Sequence, residues 1–287
     1  MFELCEGKKR NANNGKNEML VNLTPKHFTP PTKKQIADSR KVMRSYGVNS
    51  LLSIGTDPKT EKSNESGKGY FTAIQYLAPA SVSGYNTCPA SSAGCRAACL
   101  HTAGNPIYFK GKNKARIART RFFFEQRAHY FNVLYAEITS FVGKCATYGL
   151  KPAVRLNGTS DIIWENVAPW IFELFPMVQF YDYTKFAKRV QVGWVLPVNY
   201  DLTFSRSEAN GDVVLQVLRD NPKARVAVVF GITRTKPLPT EWEGFTVANA
   251  DADDLRFLDT ARIAGLHAKG DARSDDSGFT VRTACGV

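Results

Sequence analysis

The 287-residue chain lacks any apolar run near the roughly 20 residues a membrane-spanning helix needs. Its first residues, MFELCEGKKRNANNGKN, contain no continuous apolar stretch of the kind that drives secretion. Both absences argue for a chain that stays in the cytoplasm where it is made and has no membrane partner. No internal repeat and no long low-complexity tract interrupts the sequence, so a repeat array and a fibrous architecture are excluded. Cysteine is scarce, at six residues, and three of these (Cys5, Cys145 and Cys285) are isolated, which is no disulfide framework. Acidic residues are outnumbered, 26 against 38 Lys and Arg, leaving a formal net charge of +12. A surplus of that size favours polyanions, either nucleic acid or a small anionic ligand.

What is present reads as a globular α/β protein. Hydrophobic residues make up 43% of the chain and charged ones 22%, enough of the first to bury a core. Residues 1–68 are rich in Lys, Asn, Thr, Pro and Gly, and read as a basic N-terminal arm. Its one helical stretch is Thr32 to Tyr46, with Thr32 or Asp38 as cap. Residues 69–287 alternate strand-like and helix-like segments. Tyr70–Leu77 (YFTAIQYL) reads as a buried strand, and Lys112–Val142 as a long helix carrying Arg116, Arg119, Arg121 and Arg127. Ala153–Leu156, Val178–Tyr183, Tyr200–Phe204, Arg225–Phe230, Phe245–Ala248 and Gly265–His267 read as further strands. Ile162–Leu174, Gly211–Asp220 and Asp254–Ala264 read as helices between them. Such alternation predicts a parallel sheet covered by helices, and about seven strands fit a complete or partial β/α (TIM-like) barrel.

In such folds function collects at the C-terminal ends of the strands. There the sequence places Arg155 through Asp161 (RLNGTSD), Tyr181 through Lys185 (YDYTK), Ser205 through Glu208, Asn249 through Asp251 and His267 through Asp271. Arg155, Lys185, Arg206 and Lys269 would line a pocket with positive charge for a carboxylate or phosphate. Asp161, Asp182 and Asp251 are candidate acids or bases, or else caps of the helices that follow. Asn157, Asp161, Tyr183 and Lys185 are candidates to position a ligand.

The most specific feature is C88-P-A-S-S-A-G-C95-R-A-A-C99, directly after the first of these strands. Cys95 and Cys99 share one face of a helical turn, and the loop through Pro89 and Gly94 can fold Cys88 back onto them. Three clustered thiolates without a fourth suit a four-iron iron–sulfur cluster (4Fe-4S) with one iron open to another ligand. Zinc is the alternative if His101, two residues past Cys99, supplies a fourth ligand. Three small buried thiols without metal is the plainest alternative.

Taken together, the Cys-Pro loop, the strand-end cluster Arg155–Asp161 and the aromatic strand Phe180–Lys185 (FYDYTK) resemble the phage protein family called gene product 88, over roughly residues 70 to 270. The chain is also distantly similar to phage proteins considered radical-SAM-like. These resemblances imply a phage or prophage origin, action in the host cytoplasm and the possibility of an enzyme using S-adenosylmethionine. The spacing departs from the usual radical-SAM pattern, with six and three intervening residues instead of three and two, and Ala98 stands where an aromatic residue is common. A non-catalytic, metal-stabilised protein that binds nucleic acid through its basic arm and Arg-rich helix is the competing expectation.

Overall fold

A computed structural model describes residues 28–55, 58–99 and 110–282. Its elements in chain order are α1 (Lys33–Ser45), β1 (Leu52–Ile54), α2 (Pro58–Glu65), β2 (Tyr70–Gln75), α3 (Ala93–Ala97), α4 (Lys110–Glu125), α5 (Arg127–Tyr148), β3 (Lys151–Arg155), α6 (Trp164–Val167), α7 (Trp170–Leu174), β4 (Gln179–Thr184), β5 (Tyr200–Ser205), α8 (Gly211–Asp220), β6 (Arg225–Phe230), β7 (Glu241–Trp242), β8 (Phe245–Asn249) and β9 (Ile263–His267). The nine strands lie in the order β1-β2-β3-β4-β5-β6-β9-β8-β7. From β2 to β8 in that order every pairing is parallel, and only β1 and β7 join antiparallel. The protein is thus a mixed α/β structure built on a mostly parallel sheet. Among the described residues no helix is long and apolar enough to cross a membrane.

Side chains alternate across the strands, so each strand serves two faces. Ala73, Val154, Phe180, Phe204, Val226, Val228 and Phe230 join one large buried cluster with α5, α7 and α8. On α5, Tyr130, Phe131, Leu134, Ile138, Phe141 and Cys145 recur at three- and four-residue intervals and are all buried against it. The helix stops at Gly149, whose φ of 65° is left-handed and lets its N–H turn back to Ala146 and Cys145. The opposite face carries Tyr70, Ala153, Tyr181, Tyr183, Ala227 and Ala264, and is covered by residues 250–257. Lys68 Nζ meets Asp253 at 2.7 Å and Lys62 Nζ donates to the Asp251 carbonyl at 2.9 Å, fastening the approach to β2 to the segment after β8.

Several expected elements sit where the sequence puts them, and others differ for local reasons. Thr32 caps α1 as half of a capping box with Gln35. Residues 52–54 and 58–65 are not extended arm: β1 pairs with β2, and Asn64 on α2 accepts from the Thr72 N–H at 2.9 Å. The single helix expected over Lys112–Val142 is two, broken at Gln126 (φ −132°, ψ 51°). Ile162–Leu174 also splits, because Pro169 forces Ala168 out of helical geometry (φ −151°, ψ 62°). No α-helix forms over Asp254–Ala264, only a single 3-10 turn at Arg256–Leu258. There Asp253 binds the Leu255 N–H at 2.9 Å and the Arg256 side chain at 3.1 Å, local bonds that compete with helix, and Ile263 already belongs to β9.

Candidate functional site

Cys88 lies in the long connection from β2 to α4, Cys95 on α3, and Cys99 just beyond it. All three are half-buried and none is joined in a disulfide. The loop is seated on the ends of its neighbouring strands by backbone bonds: Asp161 N–H to Thr87 C=O at 2.8 Å, and Gly158 N–H to Gln75 C=O at 2.9 Å. Cys88 Sγ accepts from the Ala80 N–H at 3.4 Å and lies 3.8 Å from the Thr159 carbonyl oxygen.

α3 is too short to hold its own orientation, and Glu208 after β5 supplies it. One carboxylate oxygen accepts from the Gly94 N–H at 2.7 Å and the other from the Ser92 hydroxyl at 2.8 Å, while Ser92 Oγ accepts from the Cys95 N–H at 3.2 Å. The helix and the carboxylate approach closely at Gly94: a Cβ there would lie 2.3 Å from Ser277 Oγ and 2.8 Å from Glu208 Cδ, so both side chains would have to shift. Lys185, one residue past β4, hydrogen-bonds the Cys95 thiol, donates to the Arg206 carbonyl at 3.3 Å and lies 5.4 Å from the centre of the Phe279 ring. Arg206 holds the C-terminal segment in place by donating to the Gly278 and Phe279 carbonyls at 2.6 and 2.8 Å. Ala98 and Cys95 pack there against Ala268, Ala272 and Phe279.

The Cys99 thiol is within electrostatic reach of both Cys88 and Cys95. Burial pushes the Cys88 thiol up to about 11 and raises Cys95 too, although Lys185 pulls the latter back. These are therefore protonated thiols at neutral pH and not the low-pKa thiolates of a nucleophilic cysteine. Beside Cys88 a cavity of about 100 Å³ opens between Thr87, Pro89, Phe124, Asp161, Ile162 and Phe186. His101 lies outside the described residues. Among the described residues, no three His, Cys, Asp or Glu side chains converge as the ligands of a single ion do.

Lys185 and Arg206 thus stand with the cysteines, and the other strand-end candidates are distributed differently. Asn157 and Asp161 border the loop but are buried and engaged in the scaffold. Asn157 Oδ1 accepts from Ser160 Oγ (2.8 Å), the Ile162 N–H (3.0 Å) and Trp164 Nε1 (3.2 Å). Asp161 accepts from the Lys185 N–H at 2.8 Å and faces Arg189 at 3.4 Å. Arg155 is buried against Asp254 at 2.7 Å and lies over the Tyr183 ring, whose hydroxyl donates to the same Asp254 at 3.3 Å. Lys269 pairs with Asp251, which also accepts from the His267 N–H at 3.0 Å and meets His267 Nδ1 at 2.7 Å. The other ring nitrogen of His267 bonds the Lys236 carbonyl at 2.9 Å, leaving no edge for a substrate.

Glu208 and Phe279 were not singled out by sequence, and only the turn-like Ser205–Glu208 stretch marked the first. A second unmarked network holds this end of the sheet together. Arg189 binds Glu165 through Nε (2.8 Å) and Nη2 (2.7 Å), and reaches Tyr200 Oη at 3.2 Å. Tyr200 in turn donates to Asp182 at 2.8 Å, and Asp182 accepts from the Asn157 N–H at 2.7 Å. Burial pushes Asp182 up to about 7 against the opposing pull of Arg155 and these donors. The folded state therefore keeps a proton that the unfolded chain releases near pH 4. This group's stabilisation is complete below that pH and is lost as pH rises through 7, about 4 kcal/mol in all. Asp182→Asn is expected to gain about 3 kcal/mol relative to wild type between pH 5 and pH 8 in urea unfolding. An equal pH dependence in the two proteins would refute this reading of Asp182.

Comparison with known families bears on the same segments. A family model, gene product 88, matches residues 50–283, most of the chain and the whole of the cysteine site. The chain belongs to the gene product 88 family. No match was found among curated proteins or among solved structures. The family match begins at residue 50, two residues before β1, and so takes in the antiparallel edge strand as well as the parallel sheet.

Proposed function

We propose that this gene product 88 protein is a phage iron–sulfur protein of the host cytoplasm, with a four-iron cluster on Cys88, Cys95 and Cys99 and a β/α-barrel-like scaffold. The observation that carries the reading is the anchoring of the cysteine loop. Cys95 is held on a short helix that Glu208 orients from the end of another strand, Cys88 returns to the same end of the sheet, and Cys99, just past that helix, is within reach of both.

The donor set fits such a group. Three sulfur ligands favour soft metals and iron–sulfur chemistry. Each thiolate of a cluster binds a different iron, so less convergence is asked of them than of ligands to one zinc. Thiols held protonated by burial release their protons on metal binding, and Lys185 is placed to balance part of the resulting negative charge. The Ala80 N–H directed at Cys88 Sγ is the kind of contact that tunes cluster sulfurs.

When bound, the cluster supplies one-electron chemistry and one iron open to a small ligand. S-adenosylmethionine is the ligand suggested by the distant radical-SAM-like resemblance. The chain's own contribution is to fix the thiols, balance their charge through Lys185 and shield the site with Phe279 and the 268–280 segment. The cavity beside Cys88 offers space for part of such a ligand.

Anaerobic purification with iron, sulfide and zinc analysis tests the reading. The expected protein is brown, absorbs broadly near 400 nm and carries about four irons per chain. Both signals should vanish in the Cys88→Ala/Cys95→Ala/Cys99→Ala variant. One zinc per chain, or no metal at all, overturns it.

A further inference from the structure

Positive charge is concentrated in two stretches of this chain. Residues 28–55 contain five Lys or Arg and one Asp, and residues 110–148 contain eight Lys or Arg and two Glu. Together they account for ten of the twelve net positive charges. Far apart in sequence, the two are packed on each other. Ser39 of α1 meets His129 Nδ1 of α5 at 3.1 Å and accepts from Asn132 Nδ2 at 3.1 Å. At the end of α1, the Tyr46 ring packs on Phe122 of α4 with centroids 5.6 Å apart, and its hydroxyl donates to Glu125 at 2.9 Å.

Some of these bases serve the fold. Arg119 donates to the Ser50 carbonyl at 2.7 Å, and Arg116 is buried over the Tyr76 ring. Others reach solvent: Arg40, Lys41 and Arg44 on α1, preceded by Lys33 and Lys34, and Lys114 and Arg121 on α4. An open groove of about 380 Å³ lies along α4 beside Tyr46, the residue that closes α1, and is lined by Tyr46, Lys114, Ile117, Ala118, Arg121 and Glu125. Three acids oppose this charge, and all are already engaged: Glu137 accepts from the Leu51 and Leu52 N–H groups at 3.0 and 2.8 Å. Asp38 stands 3.3 Å from Lys41 and 3.9 Å from Lys34, and Glu125 accepts from the Tyr46 and Tyr85 hydroxyls at 2.9 and 3.2 Å.

We propose that the α1–α4 face binds the phosphate backbone of a nucleic acid. A fold needs no such segregation of charge: like charges gathered on one face repel, and a bound polyanion offsets that cost. The groove offers room for part of a single strand, whose phosphates would meet Lys114 and Arg121 there and the exposed α1 bases outside it. Its tyrosine wall offers a base a ring to lie against. None of the three cysteines lines the groove, so binding does not depend on a metal.

Fluorescence anisotropy with labelled strands of about 20 nucleotides tests this, using single-stranded and duplex DNA and RNA in turn. Binding of at least one form is expected at 50 mM salt and should weaken about a hundredfold by 200 mM, as for some four neutralised phosphates. The Lys41→Ala/Arg44→Ala/Lys114→Ala/Arg121→Ala variant should bind at least tenfold more weakly, with a shallower salt dependence. Arg219→Ala/Lys223→Ala, at the end of α8 and in the loop after it, should leave affinity unchanged, and circular dichroism should confirm that both variants fold. Absence of binding at 50 mM salt overturns the proposal, as do equal losses in the two variants. Equally tight binding of polyglutamate also overturns it, because the partner would then be an acidic protein.

Discussion

Arg189→Ala is expected to lower the melting temperature by about 10 °C, the largest single-site loss of stability in this protein. The Arg189 side chain is 1% exposed and its fork is engaged twice with Glu165, itself 6% exposed. The same guanidinium reaches Asp161, Thr184 and Tyr200. Truncation leaves Glu165 and Asp161 as buried carboxylates without their cation, which costs about 3–5 kcal/mol. At roughly 2–4 °C per kcal/mol for a domain of this size, that corresponds to a shift near 10 °C. The cost comes from orphaned charge more than from the pair itself, so Arg189→Met/Glu165→Leu should recover part of the loss. Calorimetry of the wild type, both single variants and the double variant separates the terms. A melting point within about 2 °C of wild type for Arg189→Ala would show that the network contributes little.

Gly158→Ala is expected to be nearly as damaging, for a steric reason. Gly158 follows β3 and donates its N–H to the Gln75 carbonyl at the end of β2. An added Cβ would lie 2.6 Å from that carbonyl oxygen, 2.6 Å from Tyr76 Cδ1 and 2.8 Å from Ile74 Cγ2. One of these neighbours is the backbone of Gln75, the last residue of β2 and paired there with Leu52 of β1, so relief requires the strand end to move. Overpacking of this kind costs about 3 kcal/mol. Because the cysteine connection starts at Gln75, the same movement displaces the loop that carries Cys88. The variant should therefore lose both thermal stability and iron content after anaerobic purification. Unchanged melting and metal content would mean that the β2 end yields freely.

Much of the scaffold was legible before the structure. Arg225–Phe230 and Gly211–Asp220 were bounded correctly because each is a short, self-consistent pattern: an apolar run in one, an apolar stripe at helical spacing in the other. The run of three phenylalanines at 122–124 reads as core by its residue type alone, and Phe122 and Phe123 are fully buried. Errors fell where local pattern and chain geometry disagreed. Residues 112–142 are helical in pattern throughout, yet Gln126 breaks them. Residues 254–264 have helical composition, yet side chains of Asp253 and Asp254 are taken up by Leu255, Arg256 and Arg155.

The candidate site divides in the same way. Sequence alone determined that three cysteines share one loop after a strand, since spacing along the chain is a local property. It also determined the charge excess and the polar strand ends. Tertiary structure decided which of those polar residues are available. Arg155 and Lys185 look alike as bases at strand ends, but Asp254 neutralises the first from 99 residues away, while the second lies beside Cys95 and donates to a backbone carbonyl. Glu208 became an anchor of the cysteine helix only because β5 brings it under Gly94, 114 residues earlier in the chain. Residue type and periodicity are written locally. Burial and charge pairing depend on contacts between distant segments, and only the folded chain supplies those.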